Sequence, residues 1–141
     1  NPRERRRLQD DPTLIAAAVE EFLRYDSPVQ LTDRVATRDF DLAGHKVKKG
    51  VLVGLVLAAG NRDPSRFPDP DRLDFTRRDS HPLSFGHGAH FCLGAALARL
   101  EAQIAISTLL RRFPSFDGDH RAVPRKRSMV LRGPTALPLR W

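Results

Sequence analysis

The chain carries one cysteine, Cys92, at the mouth of a long helical pattern that begins near Leu93. Ahead of it lies a loop with two glycines and two histidines, Ser84-Phe85-Gly86-His87-Gly88-Ala89-His90-Phe91. A thiol held at a helix N-terminus faces backbone N–H groups that have no partner and the positive end of the dipole, an arrangement that favours a thiolate. Gly86 and Gly88 allow a tight turn and let something flat approach the backbone. Gly94, Ala95, Ala96 and Ala98 keep one side of the first helical turns clear. The stretch reads as a socket presenting one soft ligand. Two plainer readings stand beside it: a buried, inert cysteine, or a zinc site that lacks a spaced second pair of ligands beyond His87, His90 and Cys92.

The order F-G-x-G-x-H-x-C-x-G, from Phe85 to Gly94, resembles the haem-binding signature of the cytochrome P-450 family in its soluble bacterial form. That resemblance implies haem b as cofactor and Cys92 as the axial, catalytic ligand of its iron, the thiolate ligation typical of the family. It also implies that His90 donates to a haem propionate, that Phe85 packs beside the sulfur and limits water there, and that Gly86 and Gly94 adjoin the cofactor. His87 has no assigned role and is expected to be exposed.

Two further motifs fall in the family's order. Asp11-Pro12 predicts a helix with an Asp cap and proline in its first turn, carrying Ile15, Val19, Phe22 and Leu23 on one face and ending before Ser27-Pro28. On it Glu21 and Arg24 are three residues apart and therefore adjacent on the helix surface. Alone they read as an ordinary surface ion pair. Beside Cys92 they resemble the family's E-x-x-R helix, and Pro70-Asp71-Arg72 resembles the segment that completes its triad. The implied triad Glu21–Arg24–Arg72 is structural, a buried bidentate network.

Residues 29 to 40 read as extended, with turns at 41–44 and 48–50, and Val51, Val53, Leu55 and Leu57 suggest a returning strand in a short antiparallel sheet. The resemblance makes Arg34 a propionate ligand and sets Val29, Gln30 and Leu31 on the substrate side. Residues 61–70 form a Pro/Asp-rich irregular segment matching the family's meander, with Phe75 and Leu83 packing there. Residues 93–113 give the strongest helix, with Leu93, Leu97, Leu100, Ile104 and later Leu109, Leu110 and Phe113 as its apolar positions, ended by Pro114. Its cations Arg99, Arg111 and Arg112 read as a solvated face, or as a docking patch for an acidic electron donor such as a ferredoxin. Residues 115–127 read as a polar loop. The C-terminal segment from Met129 reads as a hairpin whose Val130 and Leu131 are candidate substrate contacts.

Composition matters mainly for what it excludes. A single cysteine leaves no disulfide framework and fits a reducing cytoplasm. The apolar run 51–59 is far too short to span a bilayer, and no secretory signal is evident. The formal charge of +7 permits nucleic acid or anionic partners. The cluster Arg3, Arg5, Arg6 and Arg7 nonetheless lies on a helix predicted from Asn1-Pro2 through Gln9 with charge on nearly every face, which reads as a surface segment.

The expected fold class is α+β, mainly α. The whole chain, 1–141, is expected to be the C-terminal, haem-ligating part of one cytochrome P-450 domain. It begins at Asn1 and its only methionine is Met129, so it is expected to be processed or truncated. The implied parent activity is monooxygenation of a small organic substrate by O2 with electrons from a redox partner, which this part alone would not perform. No membrane contact is expected. A non-catalytic haem carrier or sensor is the alternative.

Overall fold

The computed structural model describes residues 1–77, 80–118 and 123–141. Helix dominates, as the sequence predicts, and the strands form two small antiparallel sheets among the described residues. Helix α1 (Pro2–Asp10) opens on Asn1, whose side chain accepts the Glu4 N–H at 3.2 Å. Asp11 caps a 3-10 turn (Pro12–Leu14) through the Thr13 N–H, and α2 (Ile15–Tyr25) follows.

The expected single sheet is two. Strand β1 (Thr32–Val35) pairs antiparallel with β4 (Leu52–Leu55), Arg34 opposite Val53, and β2 (Phe40–Leu42) pairs with β3 (His45–Val47). Ala43 and Gly44 both have positive φ, the backbone of a two-residue hairpin turn, and the Asp41 carboxylate accepts the Gly44 N–H at 2.8 Å. Leu57, expected in the strand, instead opens a short helix, α3 (Leu57–Gly60), and is buried. Its side chain packs inward only once the chain leaves the exposed β4 edge.

The core joins Leu8, Ala18 and Phe75, flanked by Ile15, Phe22, Leu73, Ile106 and Leu110. Phe22 and Phe75 meet edge to face with ring centres 5.2 Å apart. Helix α1 is therefore not a free surface segment: Leu8 is buried and Arg5 donates to the Phe116 carbonyl and lies over that ring. One apolar residue at the right phase outweighs the charged majority, because only the inward stripe of a helix must be apolar.

Helix α4 (Ala95–Arg112) starts two residues later than expected, with Gly94 at its cap. It is apolar along two stripes. Ala95, Ile106 and Leu110 face the rest of the chain, with Ala95 buried and the other two on the core. Of the apolar positions that mark this helix in the sequence, Leu110 lies on the core, whereas Leu93, Leu97, Leu100 and Ile104 are exposed. Period alone cannot tell which stripe a chain will cover. In the C-terminal segment no regular strand forms, but Arg125 bridges Pro134 and Leu131 bridges Val29. The expected loop 115–127 includes residues 119–122, outside the described residues.

Candidate haem-thiolate site

The site is built on the buried pair at its back. Glu21 and Arg24 are each 1% exposed and bond through both carboxylate oxygens, Nε to Oε2 at 2.7 Å and Nη2 to Oε1 at 2.8 Å. Arg24 also donates to the carbonyls of Asn61 (3.0 Å), Pro70 (2.8 Å) and Arg72 (3.2 Å). All five N–H groups of the guanidinium thus have acceptors, the condition under which a buried charge is tolerable. The planar fork ties α2 to the segments on either side of the 61–70 loop.

The second guanidinium on Glu21 belongs to Arg77 rather than to the expected Arg72. Arg77 Nε lies 3.1 Å from Glu21 Oε1, with a side chain 11% exposed. The Arg72 side chain is 63% exposed and among the described residues pairs with Asp74, at 3.6 Å, so that toward Glu21 and Arg24 it contributes its carbonyl and not its charge. The backbone decides this. Asp69 has φ +48 and Arg72 N–H closes a turn onto its carbonyl, which sends the Arg72 side chain outward. The chain then returns so that the Asp74 N–H also reaches Glu21 Oε1, at 2.9 Å, and Arg77 fills the remaining space. Asp74 itself sits below the ordinary aspartate value, chiefly through the Thr76 hydroxyl, with Arg72 and Arg77 adding to it against the effect of burial.

Arg77→Ala strands one side of Glu21, takes the Arg77 donor from the Asp69 carbonyl (2.6 Å) and leaves the Arg72 carbonyl with Arg24 alone of its two guanidinium donors, and is expected to cost about 2–4 kcal/mol. Arg72→Ala removes an exposed ion pair and is expected to cost under about 0.5 kcal/mol. Urea unfolding of the two variants distinguishes them. Equal losses would restore Arg72 to the triad.

A second buried network, not foreseen in the sequence, links this pair to the cysteine loop. Asn61, fully buried, accepts the Leu83 N–H at 2.6 Å and donates to Ser84 Oγ at 3.0 Å. Ser84 donates to the Leu23 carbonyl at 2.6 Å, and Ser27 donates to Ser84 at 2.8 Å. A short polar side chain beside a Pro/Asp-rich turn gives no signal that it will be enclosed, so this cluster was not legible.

The loop itself comprises two 3-10 turns, Leu83–Phe85 and Gly88–His90. Gly86 (φ +76) and Gly88 (φ +72) take backbone that other residues adopt only at a cost, and a Cβ on Gly88 or on Gly94 would meet open space. The Cys92 N–H bonds the Phe85 carbonyl at 2.9 Å, and its own carbonyl accepts from Ala95 at 3.2 Å. The thiol is free and exposed. Phe85 is half-buried and its ring meets Phe91 at 6.4 Å. His90 and His87 are exposed. No group of three or more His, Cys, Asp and Glu able to hold a metal occurs among the described residues. A single exposed sulfur on a glycine-lined, open loop fits an axial ligand for a flat prosthetic group.

Arg34 spends Nη1 on the Thr32 hydroxyl (3.2 Å) and the Asp33 carbonyl (2.7 Å), while its Nε and Nη2 make no hydrogen bond among the described residues. Val29 and Leu31 come together with Val130 and Leu131 because the Gln30 N–H bonds the Val130 carbonyl at 2.8 Å and Val29 bridges Leu131. The Gln30 amide departs from its expected role, turning back to donate to the Ser27 carbonyl. Arg99 also departs: it is not a free surface cation but is paired with Glu20 of α2 and stacked on Phe85. Arg111 and Arg112 are exposed.

Against known proteins, the family model for Cytochrome P450 matches residues 7–138. The chain belongs to the cytochrome P450 family. It is 55% identical over 117 residues to a biotin biosynthesis cytochrome P450 of Bacillus subtilis, covering 83% of this chain and 30% of that protein. It is 46% identical over 145 residues to cytochrome P450 107B1 of Saccharopolyspora erythraea, covering 99% of this chain and 35% of that protein. Among solved P450 structures, P450BioI bound to an acyl carrier protein carrying hexadec-9Z-enoic acid superposes with a TM-score of 0.94 at 49% identity, over 99% of this chain and 36% of its own. The tirandamycin C-bound monooxygenase TamI superposes at 0.95 with 42% identity, over 99% of this chain and 36% of its own. This chain therefore spans about a third of the length of the relatives it matches. P450 proteins carry haem b, and the sulfur and open glycines of the Cys92 loop fit that group. No helix among the described residues is long and apolar enough to cross a membrane.

Proposed function

We propose that this chain supplies the proximal, iron-ligating part of a bacterial haem-thiolate monooxygenase, the activity belonging to a chain of the relatives' length. The observation that carries the reading is Cys92, a lone exposed thiol fixed through Phe85 between a glycine loop and α4. Bound there, haem supplies the redox-active iron for the net reaction R–H + O2 + 2e⁻ + 2H⁺ → R–OH + H2O. The electrons come from a redox partner.

The chain's own residues would act around that group. Cys92 gives the axial sulfur. Phe85 keeps water from it, which sets the local dielectric. Gly86 and Gly94 leave room for the porphyrin. His90 and the free edge of Arg34 would bind the propionates through charge-assisted hydrogen bonds. Val29, Leu31, Val130 and Leu131 would form an apolar wall for a small organic substrate, with Gln30 supporting it by its backbone. Solved relatives hold a carrier-bound fatty acid, testosterone and tirandamycin C, which favours a largely apolar substrate class. An acidic electron donor such as a ferredoxin would dock on Arg111 and Arg112, since Glu20 already occupies Arg99.

The test is isotopic. Turnover of the parent-length protein under ¹⁸O2, with a reducing partner, is expected to place one labelled atom in the product. Product oxygen drawn from water would contradict the reading.

A further inference from the structure

Arg99 lies about two turns into the cysteine-side helix from Cys92. Glu20 of α2 holds it by two bonds, Nη2 to Oε2 at 3.0 Å and a shorter one from Nε to Oε1. Its guanidinium carbon stands 4.6 Å from the centre of the Phe85 ring, within range of a cation–π contact. Phe85 in turn accepts the Cys92 N–H at 2.9 Å. A continuous path therefore runs from the Glu20 carboxylate through Arg99 and Phe85 to the backbone of the ligand cysteine. The Glu20 hydrogen bond raises Arg99 above the ordinary arginine value against partial burial, so the guanidinium stays charged beside Phe85.

We infer that Arg99 is a positioning residue for the Cys92 ligand, stacking Phe85 against the loop and setting the charge beside the sulfur, with Glu20 moderating that charge. The inference rests on the haem-thiolate reading above. A fixed cation near the sulfur stabilises the reduced, more negative iron–thiolate state and so raises its potential, while Glu20 offsets part of the effect.

The two partners therefore predict opposite signs. In the haem-loaded, parent-length protein, R99M is expected to make one-electron reduction about tenfold less favourable, about 59 mV. E20Q, which leaves Arg99 in place without its counter-charge, is expected to make reduction several-fold more favourable, and R99K is expected to stay close to wild type. Dye-mediated spectroelectrochemical titration reads all three without reference to turnover. Loss of the same ion pair would move R99M and E20Q in one direction if the role were only structural. A shared direction, or no shift in either variant while the thiolate carbon monoxide band persists, overturns the inference alone. A wild type without that band overturns the functional reading and the inference together. Should R99M fail to fold, the sign of the E20Q shift decides.

Discussion

Arg24→Ala is expected to cost about 3–5 kcal/mol, a large share of the roughly 5–15 kcal/mol available to a domain. The reason lies in the acceptors left behind. Glu21 would keep Arg77 at 3.1 Å but lose both contacts to Arg24, while remaining 1% exposed. The carbonyls of Asn61 and Pro70 would lose their Arg24 donor at the same time, while that of Arg72 would keep Arg77 Nη2 at 2.9 Å. Each buried acceptor without a partner costs about 1–3 kcal/mol, partly recovered where water enters. Lysine is not expected to rescue the loss, because three donors on a flexible stem cannot replace five in a planar fork. Urea unfolding of haem-loaded protein measures it. A loss below about 1 kcal/mol would mean that the pair is not the anchor described here.

Cys92→Ala is expected to reduce oxygenation to the level of a control without enzyme, with the fold retained. The thiol is exposed and packs no core, so the substitution opens no cavity of consequence. It is the only cysteine in the chain, and no cluster of metal-ligating side chains among the described residues can take its place. Cys92→His would test ligand identity separately. A neutral imidazole can hold iron but lacks the electron donation of a thiolate, so haem uptake without oxygenation is the expected outcome. Product formation at the wild-type rate by Cys92→Ala, measured with a competent donor and substrate, would remove Cys92 from the chemistry.

What the sequence shows here depends on how local each feature is. The Asp11-Pro12 start of the α2 region was legible because an Asx cap and a first-turn proline act within a few residues. The cysteine loop was legible for the same reason, since its glycines answer to backbone shape and its cysteine to chemistry. The choice between Arg72 and Arg77 was not. It turns on a positive φ at Asp69 and on which side chain faces a carboxylate about fifty residues away in sequence. The tie between Arg99 and Glu20 is equally remote. Without it, a basic helix face reads as solvent-exposed throughout. The stripe from Leu93 to Ile104 carries another lesson. Its period is helical, yet its residues are exposed, because periodicity reports that a face is apolar and not what covers it. Asn61, Ser27 and Ser84 gave no sign of enclosure, since their burial depends on how the 61–70 loop closes over α2.

The most direct test of the account is the carbon monoxide difference spectrum of the dithionite-reduced, haem-loaded protein beside Cys92→Ala. The account predicts the red-shifted Soret band of thiolate ligation in the wild type and its loss in the variant. A band at the shorter wavelength of neutral ligation in both proteins, unchanged by the substitution, would contradict it and move the iron to another ligand.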